Sequence, residues 1–313
     1  MTTGSYTGWA RVPSPYGVVV DRCVHRMASA GDDCARLFHG RGHCYPGFEH
    51  LTVDYFPPYL LVSVFRNNAV AIAPLVADLH AQLPGVEGVS VQRRDGRRTT
   101  TEVLLGTVPE EVVVREAGLN YAVRMLHNQN VGLFLDMAPS RSWVRDVAED
   151  RSVLNLFAFT CGFSVAAIAG GAKTVVNNDM SRAALEWGAH NHALNDHEQR
   201  DVRMLPHNLF KSWRKIRQWA PYDLVVVDPP TNQRGSFTAE KHYGQILKRL
   251  AGFCAPGALV LACLNSPFLG PDFLTGQMAR WCPRAKFQAF LPASDDFQDL
   301  HPERGLKQAL FRL

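Results

Sequence analysis

The tetrapeptide Asp228-Pro229-Pro230-Thr231 follows a strand-like run at 224–227. Each proline fixes its own backbone and lacks an N–H, so the pair makes a rigid wall that presents carbonyls and one carboxylate. Such a wall suits holding and orienting an amine. Three other polar groups stand at comparable places. Asp179 and Met180 follow a run at 174–178, and a carboxylate there accepts bonds from ribose hydroxyls. Asn208 and Leu209 follow a run at 202–205, and an amide there can bond an adenine edge. The loop from Asn155 to Ser164 contains Ala158, Phe159, Thr160, Gly162 and Phe163, with a single glycine. A pyrophosphate needs several backbone amides brought close by several glycines, which disfavours nicotinamide and flavin dinucleotides. Together the four loops suit adenosine with a small polar tail. The plain alternatives are a simple turn at Gly162 and a helix cap at Asp179, and the recurrence at successive strand ends weighs against them.

Two other clusters carry chemically capable residues. Arg93, Arg94, Arg97 and Arg98 crowd Asp95-Gly96 between runs at 89–94 and 97–105. Asp-Gly between two strand-like runs signals a hairpin. Its arginines read either as phosphate contacts or as a solvated, edge-protecting tip. His39, His43, Cys44 and His50 match no common zinc spacing. They read as loop and core residues, and no metal is expected. The seven cysteines are odd in number and include no C-x-x-C pair, which argues against a disulfide framework.

These groups need a scaffold to hold them. From about residue 126, strand-like runs at 152–157, 174–178, 202–205, 224–227 and 259–263 alternate with helix-like runs at 163–169, 182–194 and 243–253. That alternation predicts a parallel, doubly wound sheet whose ligands sit at the carboxyl ends of its strands. Runs at 285–291 and 308–313, joined by a loop, predict an antiparallel closing hairpin. Residues 1–125 read as a smaller α+β domain with a helix over 69–83, and 126–313 as the larger domain. Hydrophobic residues make up 46% of the 313, enough for a sizeable core. The net charge of +4 permits an anionic partner without demanding one. No run approaches the ~18 apolar residues of a membrane span, and the first residues lack an apolar leader core. A cytoplasmic protein is the expectation.

The runs GLFLDMAPSR (132–141), VLNLFAFTCGFSV (153–165), DMSRAALEW (179–187) and DPPT (228–231) resemble the class I S-adenosylmethionine-dependent methyltransferases. Within that class they are most similar to the bacterial 23S ribosomal RNA large-subunit enzymes of the K/L and I types. The likeness is strong over 126–313 and weaker before it, where FHGRGHCYPGFE (38–49) is similar to related methyltransferases. It implies an α/β, Rossmann-like sheet of seven strands with an antiparallel last hairpin. It also implies S-adenosyl-L-methionine as cofactor, with 155–164 around the methionine part, Asp179 at the ribose and Asn208 at the adenine. Arg141 would close over the methionine carboxylate. Where the family run has a second arginine this chain has Ala138.

The I type carries a nucleophilic cysteine just after the fifth strand. That position falls on Asn265 here, and Cys263 reads as core. A ring-carbon target needs such a cysteine, so the expected target is a nitrogen, with guanine favoured. Asp228, Pro229 and Pro230 would orient the base. Phe159, Phe163 and Phe237 would stack it, and the arginine hairpin would grip the backbone. The implied partner is RNA, either 23S rRNA or a ribosome assembly intermediate. Rival readings are a cytosine ring-carbon enzyme, a protein or small-molecule methyltransferase, and a degenerate methyltransferase that only binds RNA.

Overall fold

The structure is a computed structural model, and it describes residues 14–66, 70–96, 98–127, 129–230, 232–233 and 237–313. Helix α1 (Gly17–Ala30) precedes a sheet built from β1 (Ala35–His39), β2 (Leu51–Phe56), β3 (Tyr59–Phe65), β4 (Gly88–Asp95) and β5 (Arg98–Gly106), in that spatial order. Only β3 and β4 run parallel, and α2 (Ala73–Gln82) makes their crossover. The helix begins with a proline in its first turn, where the missing N–H costs nothing. This starts it a few residues later than the 69–83 reading. β4 and β5 pair antiparallel across Asp95-Gly96, as the hairpin signal predicts.

A second hairpin, β6 (Val112–Glu116) and β7 (Leu119–Val123), leads through α3 (Ala138–Val147) to the larger sheet. That sheet contains β8 (Ser152–Leu156), β9 (Thr174–Asp179), β10 (Val202–Pro206), β11 (Tyr222–Val227), β14 (Cys254–Asn265), β15 (Lys286–Phe290) and β16 (Leu306–Arg312). Two short strands, β12 (Asn232–Gln233) and β13 (Phe237–Thr238), pair beside it. The seven strands lie in the order β10-β9-β8-β11-β14-β16-β15. β8 to β11 and β14 run parallel, and β16 enters antiparallel between β14 and β15. The switch point therefore falls between β8 and β11, which start from adjacent positions and wind in opposite directions.

Helices α4 (Gly162–Ala169), α5 (Arg182–Ala193), α6 (Trp213–Arg217), α7 (Ala239–Leu250) and α8 (Asp272–Trp281) cover the sheet. Strands covered on both faces must be apolar throughout, and Val225, Val226, Val227, Val260 and Leu261 are fully buried. Each such side chain contributes about 1.5–3 kcal/mol relative to exposure. Ser181 accepts a bond from the Ala184 N–H (3.2 Å) and so caps α5, which turns the chain away from the sheet directly after Asp179. α1, α3, α6 and α8 are absent from the sequence reading, and α7 begins four residues before it.

A cluster containing Phe56 and Leu61 of the first sheet, Val114 and Tyr121 of the hairpin, and Val165 and Ala166 of α4 joins the two sheets. The segment between β15 and β16 returns to the first sheet. Arg26 of α1 makes a bidentate ion pair with Asp296, and the Leu300 N–H donates to the Gly42 carbonyl (2.7 Å). Among the described residues no helix is long and apolar enough to cross a membrane, and no three metal-ligating side chains are placed to hold an ion.

Candidate functional site

A cleft of about 470 Å³ opens at the carboxyl ends of β8, β9, β10 and β11. It brings together Arg141, Ala158, Phe159, Thr160, Gly162, Phe163, Asp179, Met180, Asn208, Leu209, Asp228, Pro229, Pro230 and Phe237, fourteen residues singled out in the sequence. Thr231 lies outside the described residues.

The loop after β8 is built without the glycines its shape asks for. Phe157, Phe159 and Cys161 all have positive φ (60°, 47° and 62°). Non-glycine residues held there cost of order 1–3 kcal/mol each, and such strain collects at ligand sites. Surrounding bonds hold it. The Phe159 N–H donates to Asp179 Oδ2 (2.9 Å), the Ala158 N–H to the Asn178 carbonyl (3.1 Å), Thr160 Oγ1 to the Gly132 carbonyl (2.5 Å) and Asn191 Nδ2 to the Thr160 carbonyl (2.9 Å). Asp179 thus fastens the loop as well as lining the cleft. Its other oxygen accepts the Ser181 N–H (2.8 Å), and each oxygen keeps a further lone pair for a hydroxyl donor.

Four expected residues sit differently from the sequence reading. Asn155 and Ser164 do not line the cleft. They belong to a buried chain in which Asn155 Nδ2 donates to Asn177 Oδ1, Asn177 Nδ2 to Ser164 Oγ, and Ser164 Oγ meets His192 Nε2, each at 2.9 Å. This chain cross-braces β8, β9, α4 and α5, and burial with the neighbouring His197 holds His192 neutral, down at about 3. Asn208 caps the following turn: its Oδ1 accepts the Phe210 N–H (3.0 Å). A backbone N–H only donates, so the oxygen faces it. The Nδ2 donors and the second lone pair of Oδ1 both remain for a ligand. Phe237 is buried in the core, with its ring engaged by Phe210 (6.3 Å, stacked) and Phe157 (5.3 Å, edge-on). Among the other aromatic side chains lining the cleft, Phe134 is 44% exposed with Phe159 beside it at 5.5 Å, and Phe157 and Phe210 are half-buried.

Arg141 is buried, and its Nε and Nη2 grip both oxygens of Glu116 at 2.6 Å. Burial works against the cation, but the Glu116 carboxylate outweighs it and keeps Arg141 protonated. Glu116 comes from the tip of the β6–β7 hairpin. No local sequence signal links two residues that far apart.

One further residue completes the site and was missed in the sequence. Asp136, in the turn before α3, lines the cleft opposite Asp228. Burial pushes the Asp228 carboxyl up to about 7, and the Asp136 charge adds to that, against Arg141. Asp136 is likewise raised, chiefly by burial. The cleft so combines two carboxyls whose pKa values burial raises, a third carboxylate with free lone pairs, an amide and apolar flanks. That set fits adenosine with a short charged tail, and about 470 Å³ lies within the usual range for such ligands. Asn265 also lines the cleft, whereas Cys263 is fully buried in the core and its thiol is pushed far up by burial, with Asp228 adding. Among the described residues no cysteine lines the cleft.

Of the hairpin arginines, Arg93 lies near Glu102 (3.5 Å) and Arg98 is exposed. Arg97 lies outside the described residues. Arg94 alone among those described turns inward, into a second cleft next to the first.

The profile of the S-adenosylmethionine-dependent methyltransferase family matches residues 35–312. The chain is 35% identical over 193 residues to the ribosomal RNA large subunit methyltransferase I of Alteromonas mediterranea, covering 59% of this chain and 48% of that protein. The protein of the same name from Erwinia tasmaniensis is 29% identical over 251 residues, 77% of this chain and 63% of its own. The chain spans about half the length of the curated relatives it first matches. Among solved structures, the SAM-dependent methyltransferase from Agrobacterium tumefaciens superposes with a TM-score of 0.67 at 18% identity, covering 90% of each chain. At that identity the likeness speaks for the fold alone. The family match runs through both sheets and every loop of the cleft, and the chain belongs to the S-adenosylmethionine-dependent methyltransferases.

Proposed function

We propose that this chain methylates a base nitrogen of ribosomal RNA, guanine being the base favoured, with S-adenosylmethionine as donor. The names of the relatives support the RNA class, and the residues of the cleft wall support the nitrogen. Gly162 and the 157–161 loop would hold the methionine part, Asp179 the ribose, and Asn208 with Met180 and Leu209 the adenine. Bound there, the cofactor supplies a methyl group on a sulfonium, which is electrophilic without further activation. The protein's task is then to place a nucleophile in line at near-attack distance. The Pro229-Pro230 wall fixes the backbone after Asp228, whose carboxyl accepts a hydrogen bond from a base amine. With its pKa near 7 it can also take the proton that leaves a nitrogen on methylation.

The observation that carries the nitrogen target is the cleft wall itself. Addition to a pyrimidine ring carbon requires a thiolate at the site, and Asn265 stands there while Cys263 is sealed in the core. Nucleoside mass spectrometry of ribosomal RNA incubated with the chain and labelled S-adenosylmethionine tests this. An N-methylated guanosine is expected, and Cys263→Ala should keep turnover within a few-fold. A methyl group on a cytosine ring carbon, or loss of turnover in Cys263→Ala with cofactor binding intact, overturns it. The five-stranded unit within 1–125 is proposed as the part that holds the RNA.

A further inference from the structure

The second cleft, also about 470 Å³, lies between β1 to β4 and the segment joining β15 to β16. It shares Asn130, Leu133, Phe134, Asp136 and Asn265 with the first, so the two meet at the wall where methyl transfer would occur. Arg36, Arg41, Arg94 and Arg304 line it against Asp54, Asp136 and Asp299. Asp54 is taken by a bidentate pair with Arg36, and burial drives Asp136 toward its neutral form. A positive surplus remains.

The surplus is concentrated at one place. The Arg41 and Arg94 guanidinium groups both lie over the Phe65 ring, at 4.5 Å and 5.2 Å. Among the described residues neither forms an ion pair with a carboxylate. Arg94 Nη2 instead donates to the Gln129 carbonyl (2.8 Å), which fixes its head inside the cleft. Burial lowers the pKa of Arg41, and Arg66 and Arg36 lower it further. Burial likewise lowers that of Arg94, with Arg36 and Arg41 adding and Asp54 opposing. Like charges held together in a partly dry groove are relieved by an anion. A second unmet group is the Thr52 hydroxyl, which is buried at the cleft and has no hydrogen-bond partner among the described residues.

We propose that this cleft is the phosphate seat for the methyl acceptor, with Arg41 and Arg94 clamping a phosphodiester of a splayed-out RNA strand next to the target base. The inference rests on the reading of RNA as acceptor and deepens it. A guanidinium pair matches phosphate oxygens bidentately. The Phe65 ring under both guanidinium groups holds them side by side, and Phe134, 44% exposed at the junction of the two clefts, offers an aromatic surface to a base. The junction at Asp136 and Asn265 lets one nucleotide keep its phosphate in the second cleft and its base at Asp228. An acidic peptide would match the charge but would leave the exposed Phe134 ring at the junction without a stacking partner.

Fluorescence anisotropy with a labelled single-stranded RNA ten-mer (length about 10 nucleotides, within one binding unit) tests the seat over a salt series, in the presence of S-adenosylhomocysteine. Arg41→Gln/Arg94→Gln should weaken binding about tenfold at about 0.1 M salt and reduce the log–log salt slope by about 0.7 for each phosphate released. Arg41→Lys/Arg94→Lys should keep the slope, and cofactor affinity by calorimetry should hold in both. RNA binding with an unchanged slope in the glutamine variant overturns the phosphate seat and leaves the RNA reading standing. Absence of RNA binding by a chain that still binds S-adenosylhomocysteine overturns both. Displacement of the RNA by a poly-glutamate peptide with the same dependence on both arginines overturns the seat as a nucleic-acid site and makes the acceptor a protein.

Discussion

Asp228 carries a proton on its side chain at a pH where an ordinary aspartate has lost it. Burial raises its pKa to about 7, with Asp136 adding. Between the usual carboxylate range and about 7, the folded chain holds a proton that the unfolded chain has released. Stability therefore falls as pH rises through that window and stays reduced above it. Asp228→Asn removes the titration, so its thermal midpoint should gain on the wild type between about pH 4 and about pH 8. A difference that does not vary with pH would assign the shift elsewhere. The same variant should lose methyl transfer by about a hundredfold or more, the usual scale for a positioned proton acceptor, while S-adenosylhomocysteine affinity falls much less. Near-normal turnover would remove Asp228 from the chemistry.

At the scale of elements, the site is a set of loops pinned by partners from other elements. Arg141 on α3 is fixed by Glu116 on the β6–β7 hairpin, and α4 begins at Gly162 directly against it. A Cβ at Gly162 would stand 3.4 Å from Arg141 Cδ and 3.9 Å from its Nη1, so it points at the arginine rather than into open space. Alanine there makes ordinary contact. The branches of Gly162→Val would press Arg141 off Glu116, and breaking a buried pair costs about 3–5 kcal/mol. S-adenosylhomocysteine affinity should drop at least about tenfold in Gly162→Val, since a shift of 1.4 kcal/mol suffices for that, and little in Gly162→Ala. Calorimetry showing equal affinity in the valine variant would detach this corner from cofactor binding.

Across the whole molecule, the second cleft depends on a closure that no single sheet provides. The segment between β15 and β16 crosses to the first sheet, where the Arg36 guanidinium lies 4.6 Å from the Phe297 ring centre and Gly42 meets the segment's backbone. A Cβ on Gly42 would fall 1.8 Å from the Gln298 carbonyl oxygen, a distance that forces the segment away. Gly42→Ala should therefore open the second cleft, weaken RNA binding and lower the thermal midpoint by several degrees, about what 1 kcal/mol or more costs a domain of this size. Cofactor binding in the first cleft should persist. Unchanged RNA affinity in a folded Gly42→Ala chain would show that this closure does not shape the RNA site.

The strand ends at Asp179, Asn208 and Asp228 were legible because strand and helix periods are local, and a parallel sheet must present the residue after each strand at one edge. The hairpin at Asp95-Gly96 was legible for the same local reason. What local pattern could not carry was direction and partnership. Asn155 and Ser164 stand within the motif, yet tertiary packing turns them into a buried polar chain with His192. Phe237 looked available for stacking until Phe210 and Phe157 enclosed it. Strand alternation sends Arg93 and Arg94 to opposite faces of β4, and only the fold shows which face meets a cleft. Arg141 with Glu116, Asp136 opposite Asp228, and Arg41 beside Arg94 are all pairings across long sequence separations. Sequence alone determined the sheet and the edge at which its strand-end loops gather, because both follow from periodicity. Only the tertiary structure decided the charge of the site and the second cleft, because burial and long-range pairing set them.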